Sequence, residues 1–161
     1  GTANFGKIYD YTARPKALSF RYKANVGIVD KPGSSDPEKD EWKGKQDITR
    51  VFVAIVDWER QHGVTSGLGA PTGMWDPASS ASFDEGAVLG YGELLISGDV
   101  TSMTDAELPI VWYSENAPKP ESGKYSLVIS CATSIRGDYL TDQQTLGRRF
   151  QLGVLIRSGL V

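Results

Sequence analysis

Three tryptophans of this 161-residue chain each have an acidic neighbour in the sequence: Glu41–Trp42, Asp57–Trp58–Glu59 and Trp75–Asp76. A flat indole face can pack against the apolar face of a sugar ring, and carboxylates accept hydrogen bonds from sugar hydroxyl groups. The sequence therefore predicts a glycan site built from Trp75, Trp58, Trp42 and Asp76, with Trp75 as the first candidate. The alternative is that Trp58 and Trp75 fill the core and Trp42 anchors its loop, because large aromatic side chains are mostly buried.

The same acidic residues could also cleave a glycosidic bond. Hydrolysis of that bond uses two carboxylates about 5 to 9.5 Å apart. Asp57 and Glu59 would share one face of a strand end, and Asp76 is a further candidate. The chain has 20 Asp and Glu residues, so neighbouring acids also arise by chance on a solvated surface. A glycoside hydrolase using Asp57, Glu59 or Asp76 therefore remains an alternative to non-catalytic binding.

The sequence offers few residues for other kinds of catalytic or metal centre. His62 is the single histidine and Cys131 the single cysteine, which excludes a multi-histidine centre, a thiolate cluster and an internal disulfide. Cys131 is expected to point inward from a strand, as a buried structural thiol. Asp36, Glu38 and Asp40 could attract calcium, but their spacing does not match an EF-hand loop and a lysine lies between them. We therefore expect no metal and no other cofactor.

Composition narrows the class of partner. The net charge is -3 and the charged residues form no basic block, which argues against nucleic acid as a partner. No run of 18 apolar residues exists, so no membrane-spanning segment is expected. The chain starts at Gly1 without a methionine, as expected for an excised or mature piece of a protein.

The elements that position these residues are predicted to be strands. Alternating apolar and polar side chains predict a half-buried strand at Ala17–Ala24, and an apolar β-branched run predicts a central strand at Ile48–Trp58. Further strands are expected at Tyr91–Ser97, Leu108–Ser114, Lys124–Ala132 and Phe150–Ile156. Loops are expected at Asp30–Asp47, Gln61–Phe83 and Ser102–Ala106.

This pattern predicts one all-β domain over residues 1–161, a jelly-roll-like sandwich of antiparallel strands without a useful amphipathic helix. Six side chains of the two central strands are expected to be buried: Phe52, Ala54, Val56, Leu127, Ile129 and Cys131. The charged loop Asp30–Asp47 lacks apolar periodicity and is expected to be exposed.

Both ends of the chain resemble a known family. The phrases that carry the resemblance are GTANFGK (Gly1–Lys7), TARPKALSFRYK (Thr12–Lys23), LPIVWY (Leu108–Tyr113) and SLVISCATS (Ser126–Ser134). They resemble the "putative carbohydrate metabolism domain" of surface proteins from Bacteroides-type bacteria. The family normally has strands before the first phrase, so this chain can lack the N-terminal strands of the full family domain. Its basic LGRRFQLGV segment (Leu146–Val154) also departs from the acidic ending of the family.

The resemblance implies a jelly-roll sandwich akin to carbohydrate-binding modules, carried to the cell surface or periplasm. With the tryptophan–acid pairs, it predicts a non-catalytic module that binds a poly- or oligosaccharide for carbohydrate utilisation, with other domains in the same protein. The glycoside hydrolase and a structural or adhesion module of the cell surface are the alternatives.

Overall fold

The computed structural model describes residues 2–8, 14–34, 36–57, 61–65, 88–113, 126–135 and 149–155. The strands in these ranges are β1 (Thr2–Phe5), β2 (Lys7–Ile8), β3 (Ala17–Asn25), β4 (Ile48–Val56), β5 (His62–Thr65), β6 (Val88–Ser97), β7 (Val100–Pro109), β8 (Val111–Trp112), β9 (Ser126–Ala132) and β10 (Arg149–Leu155). A four-residue helix, α1, covers Lys39–Trp42. No helix in this part of the chain is long and apolar enough to cross a membrane.

The described strands form two larger sheets and one small one. The order is β10-β3-β7 in the three-stranded sheet, β2-β9-β4-β6-β8 in the five-stranded sheet, and β1-β5 in the small one. All strand pairs are antiparallel. The two larger sheets share a core of buried side chains: Leu18, Phe20, Ala24, Val26, Val51, Val53, Ile96, Leu108 and Ile110. The all-β sandwich that the sequence predicts is therefore confirmed.

Strand β4 is the centre of the five-stranded sheet and is buried on both faces. Val51 and Val53 belong to the core between the sheets. Phe52, Ala54 and Val56 point to the opposite face and pack in a second cluster. The prediction that these three residues are buried is confirmed. Burial on both faces explains the unbroken apolar run in the sequence, because neither face has to be polar.

Strand β9 is less buried than its sequence predicts. Leu127 and Ile129 are only partly buried, although they pack against the core between the sheets. Cys131 is exposed, so the prediction of a buried thiol is wrong. The physical reason is the length of the neighbouring strand: β2 pairs with β9 at Leu127 and Ser126. The described part of the chain places no strand beside Cys131 on that side.

Two predicted loops contain strands. Ser102–Ala106, predicted as a loop, lies inside β7, which pairs with β3 from Pro109 to Val100. His62 was expected in a loop, but it begins β5, which pairs with β1. In both cases the pairing partner supplies the strand geometry that the polar local sequence does not indicate.

The charged segment Asp30–Asp47 is mostly exposed, as predicted, but two of its acids are buried. Asp36 is 2% exposed and Asp47 is fully buried. Asp47 Oδ1 accepts hydrogen bonds from Ser134 Oγ at 2.9 Å and from the Ile48 backbone N–H at 2.7 Å. Asp47 thereby ties the start of β4 to the chain beyond β9, which the sequence alone did not indicate.

The chain crosses from one large sheet to the other between β7 and β8, where the single residue Ile110 separates the strands. Two glycines of β6 make room for this crossing. A Cβ atom at Gly92 would lie well inside 3.0 Å of the Pro109 carbonyl oxygen, and one at Gly90 would lie 3.1 Å from Ile110 Cγ2. Side chains larger than hydrogen are therefore disfavoured beneath the crossing.

Candidate functional site

The outer face of the five-stranded sheet, which points away from the three-stranded sheet, carries polar groups on its central strands. Its residues follow from the register: Tyr91 lies opposite Ala54 and Glu93 opposite Phe52. Cross-strand partners share a face of a sheet, and residues two apart on a strand do as well. Leu95 therefore lies on the same face as Glu93.

Three side chains on this face form what we call the Arg50–Tyr91–Glu93 cluster. Arg50 Nε donates to Glu93 Oε2 at 3.0 Å, and an Arg50 Nη2 proton is donated to Tyr91 Oη at 2.6 Å. The Tyr91 hydroxyl in turn donates to Glu93 Oε2 at 2.8 Å. These hydrogen bonds close a triangle, so each of the three groups is held by the other two.

Aromatic rings support the cluster from below. The Arg50 guanidinium carbon lies 5.2 Å from the centre of the Phe52 ring, a distance typical of a cation–π contact. The rings of Phe52 and Tyr91 are 6.1 Å apart and tilted by 39°. Both residues are buried, so the rings hold the arginine in place and do not form an open stacking surface.

The Tyr91 hydroxyl is a neutral hydrogen-bond donor. Burial raises the pKa of Tyr91 to about 12, with a further rise from Glu93 and an opposing effect of Arg50. The phenol therefore keeps its proton at ordinary pH and directs it at Glu93. A tyrosinate nucleophile is not available at neutral pH in this arrangement.

Glu93 gives the cluster its open hydrogen-bonding position. Its side chain is 38% exposed, compared with 21% for Arg50. Glu93 Oε2 accepts two of the three hydrogen bonds of the cluster, and Oε1 has no partner among the described residues. Arginine and tyrosine thus fix the direction of the carboxylate while one oxygen stays ready to accept from a ligand hydroxyl.

Exposed apolar side chains flank this carboxylate. Leu95, two residues along β6, is 51% exposed. Val111 on β8 lies opposite Tyr91 and is 64% exposed. A fixed acceptor between apolar side chains matches a sugar, whose ring presents C–H groups as well as hydroxyl groups.

Of the site residues that the sequence predicts, Trp58, Glu59, Trp75 and Asp76 lie outside the described residues. Trp42 is half-buried on α1, and its Nε1–H donates to Glu38 Oε2 at 3.1 Å. Asp57 is exposed, directly after β4. The glycan site on the tryptophans therefore stays a prediction.

Asp57 and Glu93 do not form a carboxylate pair suited to hydrolysis. Glu93 lies opposite Phe52 of β4. Asp57 follows Phe52 by five residues, which places it about 17 Å away along the direction of β4 at the usual rise per residue. That is well beyond the separation of about 5 to 9.5 Å that glycoside hydrolysis uses.

The acidic stretch that was weighed for calcium has a local structural role. Asp36 Oδ1 accepts from the Glu38 backbone N–H at 2.8 Å, next to the start of α1. Across the described ranges, no group of three or more His, Cys, Asp and Glu side chains is arranged to hold a metal ion.

The Arg50–Tyr91–Glu93 cluster was missed at the sequence level, although one signal of it exists. Glu93 interrupts the apolar strand at Tyr91–Ser97, and a charged residue inside such a strand needs a partner. Arg50, which supplies it, is 43 residues away in the chain. Only the pairing of β4 with β6 reveals that the two residues meet.

Comparison with known proteins adds a likeness of fold. The chain is similar to a solved protein of Bacteroides thetaiotaomicron, described as a "putative glycoside hydrolase", with 18% sequence identity and a TM-score of 0.57. The match covers 98% of this chain and 42% of that protein, so the chain spans about two-fifths of its length. No protein-family model matches the chain, and no curated protein does.

Proposed function

We propose that this chain is a non-catalytic glycan-binding module of an exported bacterial protein that takes part in carbohydrate utilisation. The observation that carries the proposal is the carboxylate of Glu93, whose direction is fixed by Arg50 and Tyr91 and whose Oε1 has no partner among the described residues. Beside it, Leu95 and Val111 expose apolar surface. The fold likeness to a protein described as a glycoside hydrolase supports a carbohydrate as the ligand.

The hydrogen bonds of the cluster favour binding over cleavage. Arg50 Nε and the Tyr91 hydroxyl both donate to Glu93 Oε2, at 3.0 Å and 2.8 Å. Both neighbours therefore use the carboxylate as a hydrogen-bond acceptor. The proposed role of Glu93 is therefore to accept hydrogen bonds from sugar hydroxyl groups.

The tryptophan–acid pairs add a second part to the proposal. We expect Trp75, with Trp58, Trp42 and Asp76, to extend the glycan contact through ring stacking. Replacing Trp75 by alanine should lower glycan affinity by about 1 to 3 kcal/mol through lost apolar burial. The melting temperature should barely change if the Trp75 ring is exposed, whereas an unfolded variant would show that the ring belongs to the core.

The direct test is a binding survey of the purified chain against poly- and oligosaccharides, followed by calorimetry on the best ligand. Leu95→Ala should weaken binding by about 0.5 to 1 kcal/mol, because part of the leucine surface would be covered by the sugar. Ile28→Ala is the matched control: Ile28 is similarly exposed, at 57% against 51%, and lies outside the outer face. Equal losses in the two variants, or no glycan bound at all, would contradict the proposal.

A glycoside hydrolase remains the second candidate, favoured by the described activity of the structural neighbour. It would use Asp57 with Glu59 or Asp76. Incubation with each bound oligosaccharide and measurement of released reducing ends separates the two candidates. We expect no release; release that disappears in Asp57→Asn or Asp76→Asn would establish the hydrolase.

Export to the cell surface or periplasm, and other domains in the same protein, complete the proposal. They rest on the family resemblance of the sequence. Fractionation of the native bacterium with an antibody against this chain would test the location: signal in the membrane or periplasmic fraction supports export, and signal confined to the cytoplasm contradicts it.

A further inference from the structure

We infer that the Arg50–Tyr91–Glu93 cluster selects neutral sugars over acidic ones. The inference rests on the proposed function and deepens it, because it names the chemical class of the glycan. The selectivity follows from two features of the cluster: its cation, Arg50, already donates to the other two members, and its exposed group, Glu93, is an acceptor.

The cationic group of the cluster is already engaged. Arg50 Nε is committed to Glu93 and Nη2 to Tyr91. One face of the guanidinium lies over the Phe52 ring at 5.2 Å. Proteins recognise carboxylate and phosphate groups through arginine donors that point at the ligand. Here these two donors of Arg50 point at Glu93 and Tyr91.

The group that faces solvent is an acceptor. Glu93 is the more exposed partner of the ion pair, at 38% against 21% for Arg50. The Tyr91 hydroxyl gives its proton to Glu93, so it adds no donor for a ligand. A ligand must therefore bring its own donors to Glu93 Oε1, as a sugar hydroxyl group does.

The negative charge of Glu93 disfavours sugars that carry an acidic group. A carboxylate or sulfate carried by a sugar at this position would approach the Glu93 carboxylate to about 4 Å, where two like charges in water repel by enough to lower affinity about fivefold. The Arg50 charge, 3.0 Å from the other carboxylate oxygen, offsets part of this repulsion. The net charge of the chain, -3, adds to this repulsion for an anionic polymer. Neutral hexose units meet no such penalty.

The test compares two sets of oligosaccharides of matched length by calorimetry: neutral hexose oligomers and uronic acid oligomers. Wild-type protein should bind the neutral set more tightly at low ionic strength, by up to about fivefold, and salt should reduce this difference in affinity by screening the repulsion. Glu93→Gln removes the charge and keeps an oxygen acceptor, so it should bring the affinities for the two sets close together. Thermal melting of each variant verifies that it is folded.

Glu107→Gln is the matched control, because it makes the same charge change at an exposed residue of the three-stranded sheet, opposite Ser19. It should leave the ratio of the two affinities unchanged. A wild-type preference for uronic acids, or a ratio that moves equally in both variants, would overturn the inference and leave the glycan-binding function standing. Binding to neither set would overturn the proposed function itself. A gap between the two sets that does not narrow with salt in the wild type would also contradict repulsion as its cause.

Discussion

Replacing Gly92 by alanine should destabilise the fold strongly for so small a change. A Cβ atom there would approach the Pro109 carbonyl oxygen to well inside 3.0 Å, a separation that real Cβ atoms essentially never show. The neighbour is backbone and cannot rotate away, so β6 and the crossing from β7 to β8 must separate by about 1 Å, with the cost of overpacking in a core, about 1 to 3 kcal/mol. The lower backbone entropy of alanine in the unfolded chain returns about 0.4 to 1 kcal/mol.

Because the obstructing atom belongs to the backbone, the overpacking cost should lie near its upper end, about 3 kcal/mol. Subtracting the entropy gain leaves a net loss of about 2 kcal/mol in the free energy of unfolding. This corresponds to about 4 to 8 °C in melting temperature for a domain of this size. Urea unfolding followed by tryptophan fluorescence measures it. Gly90→Ala is the control two residues earlier in β6, where the nearest atom is a side-chain methyl of Ile110 at 3.1 Å that can shift. A stability of Gly92→Ala equal to or above that of Gly90→Ala would refute the argument that the β7–β8 crossing requires a glycine.

Three further predictions concern single groups. Asp47→Ala should lower the free energy of unfolding by about 1 to 3 kcal/mol, because it removes the carboxylate oxygen to which the Ser134 hydroxyl and the Ile48 N–H donate; a loss below about 0.5 kcal/mol would contradict this role of the carboxylate. The folded state raises the pKa of Tyr91 from 10.0 to about 12 and so favours its neutral form; the stability from this group is complete below pH 10 and is lost as the pH rises toward 12. The difference in ultraviolet titration between wild type and Tyr91→Phe should show one late tyrosine, and a transition near pH 10 would contradict this. Cys131 is exposed while partial burial raises its thiol pKa, so a disulfide reagent should label one thiol in the native protein, slowly at neutral pH; complete protection until unfolding would contradict the placement.

The elements that could be predicted from sequence are those whose burial leaves a mark on the residues. Val51 to Val56 is apolar throughout because β4 is covered on both faces, and the strand was recognised for that reason. Strand β7 leaves no such mark. Its residues around Asp105 are mostly exposed, and it is a strand because it pairs with β3.

The site shows the same limit more clearly. The tryptophan–acid pairs are visible because their members adjoin in the chain. Arg50 and Glu93 meet only through the register of β4 with β6, which no local pattern encodes. The inward direction of Cys131 was predicted correctly from the alternation in β9, since it lies opposite Val51 of the core. Its burial was not, because burial depends on how far a neighbouring strand reaches.

The central claim is that a glycan binds the outer face of the five-stranded sheet at Glu93. The most direct measurement is a titration of isotope-labelled protein with a neutral oligosaccharide, followed through the backbone amide signals in NMR spectra. Saturable shifts should concentrate at Tyr91, Glu93, Leu95 and Val111 and be absent from the outer face of the three-stranded sheet around Arg21 and Glu107. Shifts centred on that opposite sheet, or no saturable shifts with any glycan, would contradict the account.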